Sequence, residues 1–397
     1  MSDPAPHPGG SPPSRLSPRE RLLRVLRRQR PDRIAYAPNY WQWFAHQQNH
    51  GLLPRDLAHC RSQLDLIRHL GEDVFSRNLY CDQQRRWFGG LADECWRGVE
   101  TSETIRIEGR DRVLTRTYAT RRGALTERLR YVWAESTLVQ ERFALEDAPD
   151  PLGALEELIQ ARTWRFRAER YAAEQARVGE DGIVVAGELF SPLKLLHLLA
   201  GPVQATYLIA DHEDRLRELL AMHEAAQLDL ARQIAAAGVP AMMAMDNLDT
   251  AFHPPAYIEK FSASFYEKAA RLAHEHGSTF LIHACGRQRA NLRLIASLGV
   301  DGLEGVAFPP LGDVQMDEAF RLTGERFLIT GGISAFQTRE LASRQQVFTY
   351  VRGLLDRLRP FAHRFILSAS CNTAIDAPWT TLQHFRDAWL EFNAAGG

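Results

Sequence analysis

Cysteine is scarce in this chain of 397 residues: Cys60, Cys81, Cys95, Cys285 and Cys371 are its five thiols. So few, so widely spread, exclude a disulfide framework and make a reducing cytoplasm the expected compartment. Excess charge of either sign is missing too. A formal net charge of -1 gives no electrostatic reason to expect nucleic acid or an anionic membrane as partner. No uninterrupted apolar run has bilayer-spanning length, so no membrane span is expected. The basic start and apolar core of a secretory signal are also absent. Met1 to Ser14 is rich in Pro, Gly and Ser instead, and residues 1–16 are expected to form a disordered tail. Lysine occurs only at Lys194, Lys260 and Lys268 while arginine is abundant, which reads as compositional bias. Small molecules and proteins remain as partners.

What is present is the patterning of a globular enzyme, 45% apolar and 24% charged. Ser17-Pro18-Arg19-Glu20 carries a cap, a proline at the first helical position and a glutamate three residues after the serine, so a helix is expected to about Arg30. Short apolar runs then recur: Ile34 to Ala37, Asp73 to Ser76, Ile183 to Ala186, Ala241 to Met245, Thr279 to His283, Gly302 to Val306, Phe327 to Thr330 and Phe365 to Ala369. Amphipathic segments such as Arg215 to Ala237, Pro255 to His276, Gln288 to Leu298 and Arg339 to Leu358 separate most of them. Eight strands alternating with helices predict an α/β fold, a (β/α)8 TIM barrel. A doubly wound open sheet is the alternative, but no Gly-rich dinucleotide fingerprint follows an early strand. Thr104 to Ile107, Val113 to Thr117, Leu125 to Val132 and Leu138 to Arg142 break the rhythm as antiparallel strands, with a hairpin turn at Glu108-Gly109-Arg110-Asp111. They predict a β-rich insertion after the second barrel strand, at about 80–145, within one barrel domain of residues 17–397. Inserted at the C-terminal face, it is expected to shape substrate entry.

Catalytic groups in such barrels lie at the C-terminal ends of strands. There the sequence places His283 and Cys285 after the fifth strand and Cys371 after the eighth. Residues i and i+2 of a strand share a face, so an imidazole nitrogen and a thiolate sulfur can converge on one ion, with a third soft ligand from another strand end. Three protein ligands and an open fourth place are the arrangement of catalytic zinc. Taken singly, each of these residues reads first as a small buried filler or a core histidine, and it is the three together at matched strand ends that point to zinc; a cysteine nucleophile activated by His283 is a further alternative. Asp246 and Asn247 after the fourth strand offer an acid or a polar clamp, or a helix-capping cluster. Glu304 near the end of the sixth is a fourth zinc contact displaced by substrate, or a surface carboxylate, and Glu188 after the third carries the same ambiguity. Tyr40, Trp41 and Trp43 after the first strand line an apolar pocket or belong to the core.

His283-Ala284-Cys285-Gly286, Gly299-Val300-Asp301-Gly302-Leu303-Glu304, Gly331-Gly332 and Cys371 resemble the uroporphyrinogen decarboxylase superfamily, and within it the zinc-dependent methyltransferases that work with corrinoid proteins. Arg19-Glu20-Arg21, Arg30-Pro31-Asp32-Arg33 and the segment around Tyr118-Ala119-Thr120 and Gly123-Ala124-Leu125-Thr126 are also similar to that branch. The resemblance implies a barrel holding Zn2+ through His283, Cys285 and Cys371. In the methylcobamide:coenzyme M methyltransferases that the chain resembles, zinc binds the acceptor thiol, which takes a methyl group from methylcobalamin on a partner. The Asp-x-His-x-x-Gly pattern of a cobalamin module is absent, so a methyl carrier would be a separate corrinoid protein. The decarboxylases of the superfamily carry an arginine-rich motif after the first strand, where this chain has Asn39-Tyr40-Trp41-Gln42-Trp43. Porphyrinogen decarboxylation is therefore not expected. The alternative function is a metal-independent decarboxylase or lyase acting on a non-porphyrin substrate, with Asp246 as its acid; a barrel that binds a corrinoid or a partner without turnover is a third.

Overall fold

A computed structural model of the chain describes residues 16–86 and 88–395. The expected tail, apart from Leu16, lies outside them. Eight parallel strands close a (β/α)8 barrel. Seven form one sheet: Ala35–Tyr36 pairs with Phe365–Ala369, which is followed in order by Leu328–Ile333, Gly302–Val306, Thr279–His283, Ala241–Ala244 and Ala186–Leu189. The second strand, Val74–Ser76, pairs with Gly182–Val184, the start of the third. The ring closes through the Asp73 N–H, which donates to the Tyr36 carbonyl at 2.8 Å. Pro38, which has no N–H to offer a ladder, comes two residues after the short first strand, past the Ala37 N–H that still donates to Leu367.

The period-2 alternation of strands divides the core. Ala241, Met243, Met245, Leu281, Leu328 and Ile366 point inward, where Leu22, Val25 and Leu26 of the first helix, Pro18–Leu26, pack against them. Met242, Ala244, Phe280, Ile282 and Leu303 point outward under the helices. The first helix has the expected capping box between Ser17 and Glu20. Its fully buried Arg21 pairs with Asp32 at 2.8 Å and Asp73 at 2.6 Å. The helix Pro192–Ala236 is long and apolar enough to cross a bilayer, but Gly201, at φ 73 before Pro202, and His212 break its geometry, and half of its apolar window is buried against the protein.

Glu100–Glu108, Asp111–Thr120, Gly123–Val132 and Thr137–Arg142 form the expected antiparallel sheet, the first two joined at the Glu108 and Asp111 pair. Sequence reading assigned no element to its root. There Ala92–Trp96 pairs antiparallel with Arg162–Phe166, and the helices Pro151–Ala161 and Ala168–Val178 lead back to the barrel. Arginines at Arg162 and Arg165 interrupt the apolar run that would mark a strand. Arg162 lies 4.8 Å from the Trp164 ring and pairs with Glu94, while Arg116 bridges Glu103 at 2.7 Å and Glu127 at 3.1 Å.

Burial alone would raise the pKa of Glu94, but Arg162 and Arg116 hold it down at about 2. An unfolded glutamate titrates at about 4.3, so the contribution of Glu94 is present above that pH and lost as pH falls through about 2. Between these values the unfolding midpoint in urea is expected to drop with pH, and the drop is expected to be shallower in Glu94→Gln.

Candidate metal centre

The fifth strand runs inward at Leu281, so His283, two residues on, faces the barrel interior, as does Glu304 opposite it in the ladder. Cys285 follows past the strand end. Cys371 stands after the eighth strand with φ 136, a conformation that L residues rarely adopt. Its carbonyl accepts from Asn39 Nδ2 at 2.7 Å, and Trp41 Nε1 donates to the neighbouring Asn372 Oδ1 at 2.6 Å. These contacts fix the turn that aims the second sulfur.

The ligand atoms of His283, Cys285 and Cys371 all lie within 4.8 Å of one another. Cys371 Sγ is 3.7 Å from His283 Nε2. Zinc bonds of about 2.3 Å to sulfur and about 2.0 Å to nitrogen, at a tetrahedral angle, require a separation of about 3.6 Å. The donor set therefore fits zinc in both type and spacing. Nδ1 of His283, the nitrogen on the other side of the ring, is held by Glu304 Oε2, which also accepts from Arg77 Nε at 3.1 Å. With Nδ1 donating to the carboxylate, Nε2 is left as the free lone pair, the usual carboxylate support of a metal-bound histidine. Gly305 lets the ring sit there, since a Cβ at that position would come 3.0 Å from His283 Cε1.

The electrostatics follow from these partners. Burial would raise the Glu304 pKa, but Arg77 and His283 hold it down at about 2. The Arg77 guanidinium, despite its burial, is pushed up, chiefly by Glu304 and the Cys371 sulfur. Contact with Cys371 draws the Cys285 thiol well below the ordinary range, while contact with Cys285, then burial, pushes the Cys371 thiol up.

The other expected residues separate into two groups. Trp41 and Asn247 line a cavity of about 330 Å³ with His283, Cys371, Arg77, Lys194, Phe88, Met245 and Asn372. Tyr40 and Trp43 do not: both are 1% exposed, with the Tyr40 hydroxyl on Glu72 at 3.2 Å and Trp43 Nε1 on the Ala377 carbonyl at 2.9 Å. They are core, because the helix Trp41–His50 turns that face onto the barrel wall. Asp246 is fully buried, accepting from the Ser191 N–H at 2.8 Å and from the Tyr266 hydroxyl. Burial pushes its pKa up. It fixes the start of the helix Pro192–Ala236 and is absent from the cavity lining. Glu188 accepts the N–H groups of Gly90, Leu91 and Ala92 at 3.0 to 3.2 Å and so ties the root of the insertion to the third strand. Glu304 sits on the far nitrogen of His283, supporting that ring from the side away from the sulfurs.

Arg77 and Lys194 were missed. Both obey the rule that found the ligands: Arg77 is the first residue past the second strand, and Lys194 lies in the first turn of the helix after the third. Neither stands in a motif, and a single cation in an arginine-rich chain carries no signal of its own.

A closed parallel barrel with an imidazole and two thiols gathered at its strand ends has the architecture of a (β/α)8 enzyme. The family model described as uroporphyrinogen decarboxylase (URO-D) matches residues 164–392, and the chain belongs to that enzyme family. The match spans the last six barrel strands and all three candidate ligands; the first two strands and most of the insertion precede it. Among solved structures, a methyltransferase from Methanosarcina mazei is similar at 16% identity over 95% of this chain and 99% of that one, with a TM-score of 0.57. A B12-independent methionine synthase from Shewanella sp. W3-18-1, solved with selenomethionine, aligns at 11% identity over 92% and 96%, with a TM-score of 0.44. A search of curated proteins finds no match.

Proposed function

We propose that the protein is a zinc-dependent methyltransferase that activates a thiol, or a similar soft nucleophile, for methyl transfer. The observation that carries this reading is the spacing of His283 Nε2, Cys285 Sγ and Cys371 Sγ around one point. His283, Cys285 and Cys371 would hold the ion. Bound there, zinc supplies the Lewis acidity that deprotonates an acceptor thiol, whose pKa is about 8.5 when free. Glu304 keeps the His283 proton on Nδ1 and the ring in place. Arg77 neutralises Glu304, so the two ligand thiolates balance the charge of the ion alone. Trp41, Phe88 and Met245 form the apolar side of the cavity and exclude water from the transfer. The methyl group comes, in this proposal, from methylcobalamin on a separate corrinoid protein or from another donor. Residues 17–397 act as one domain, its insertion shaping entry, and a reducing compartment keeps both thiols available.

Metal-free decarboxylation with Asp246 as acid has less support, because both carboxylate oxygens are engaged by Ser191 and Tyr266 away from the cavity. The test is methyl transfer from methylcobalamin to 2-mercaptoethanesulfonate and to homocysteine, before and after chelation. Transfer that is lost on chelation and restored by zinc is expected for at least one acceptor. A chelated, metal-free protein with an undiminished rate would overturn the reading.

A further inference from the structure

The two candidate ligand sulfurs have different surroundings. Asn247 Nδ2 lies 3.6 Å from Cys285 Sγ, and its Oδ1 lies 3.4 Å from Lys194 Nζ. An ammonium only donates, so Lys194 settles which way the amide faces: oxygen to the lysine, NH2 to the sulfur. Among the described residues no side-chain amide reaches Cys371 Sγ, whose contacts are the His283 ring and the Cys285 thiol. Cys371 also lines the cavity beside Asn247, whereas Cys285 is not among the residues that line it, although both cysteines are partly exposed.

Holding this arrangement has two local costs. Asn247 adopts φ 52, the left-handed region. Lys194 is in the first turn of the helix that begins at Pro192, where the positive end of the helix dipole opposes a cation, and burial lowers its pKa further. Together these residues hold one N–H on one sulfur.

We propose that Asn247, oriented by Lys194, is a specificity-determining positioning residue that protects Cys285 from alkylation, so that the methyl group goes to the acceptor and not to the enzyme. This rests on the methyl-transfer reading above. In the side reaction that it suppresses, a lone pair of Cys285 Sγ forms the S–CH3 bond as the bond from methyl to donor breaks, and the donor leaves with the bonding pair. The product is a neutral thioether, a poorer ligand than the thiolate it replaces. A hydrogen bond to a thiolate stabilises the charged sulfur before attack and weakens as the charge disappears, so it slows that step.

The test uses the zinc-loaded full chain and iodomethane as probe, with methylation of Cys285 and Cys371 followed by peptide mass spectrometry and zinc measured on the same samples. Wild type is expected to methylate Cys371 at least about tenfold faster than Cys285, the size of effect that one charge-assisted hydrogen bond supports. Asn247→Asp retains the side-chain volume and tolerates the same backbone but has no N–H to give. It is expected to raise the Cys285 rate about tenfold with little change at Cys371, and Lys194→Met is expected to raise it less. Equal Cys285 rates in zinc-loaded wild type and Asn247→Asp would overturn this inference while leaving the metal centre intact. Wild type that binds no zinc would overturn both.

Discussion

Cys371→Ser and His283→Ala are each expected to abolish stoichiometric zinc binding and to lower methyl transfer by about a thousandfold or more. The estimate follows from the several kcal/mol that a Lewis acid contributes to such a step, with each 1.4 kcal/mol worth a factor of ten. The fold is expected to survive, because Cys371 lies beyond its strand and the barrel interior is closed by Leu281, Leu328 and Ile366 below the site. Metal analysis, circular dichroism and the transfer assay on the same preparations separate the outcomes. Variants that are folded, metal-free and fully active would contradict the assignment of these side chains as ligands.

Arg77→Met is expected to be the most damaging single change outside the ligand set. Arg77 is 8% exposed and Glu304 7%, and the pair is joined at 3.1 Å. Removing the guanidinium leaves a buried carboxylate without its cation, which costs about 3–5 kcal/mol of stability. The carboxylate orients His283, so zinc affinity is expected to fall as well, by about 10- to 100-fold. Arg77→Met with Glu304→Gln removes both charges and is expected to recover most of the stability but not the metal affinity, because the amide is a weaker partner for Nδ1. Chemical unfolding and a competitive zinc titration on the wild type, the single and the double variant would show this split. An Arg77→Met protein as stable as wild type would mean that the buried charge is compensated elsewhere.

The barrel was legible because its strands are short apolar runs buried on both faces, and Thr279–His283, Gly302–Val306 and Phe365–Ala369 occupy the residues expected. The third strand runs on to Leu189, and the seventh to Ile333, beyond their expected ends. Gly187 and Gly331 lie in those extensions, where a strand closely approached by its neighbours reads from sequence as a turn. The root of the insertion was not legible, since Ala92–Trp96 and Arg162–Phe166 are far apart in sequence and carry charges that only their pairing neutralises.

At the site, the grouping of His283, Cys285 and Cys371 was legible from strand-end position, although Cys285 lies past the end of the fifth strand, where the i, i+2 rule of a strand no longer applies. The supporting groups were not, because their roles depend on where each side chain turns. Asp246 follows the fourth strand while Glu188 and Glu304 lie within the third and the sixth, and one secures a helix start, one anchors a loop and one supports the histidine. A carboxylate near a strand end marks the right region of the barrel without stating its task.

X-ray absorption at the zinc edge, on protein purified without added metal and then reconstituted, tests the central claim most directly. The predicted result is about one zinc per chain with two sulfur neighbours near 2.3 Å and one imidazole nitrogen near 2.0–2.1 Å, plus a light fourth neighbour replaced by sulfur when a thiol acceptor is added. Zinc surrounded only by nitrogen and oxygen, or failing to bind, would contradict it.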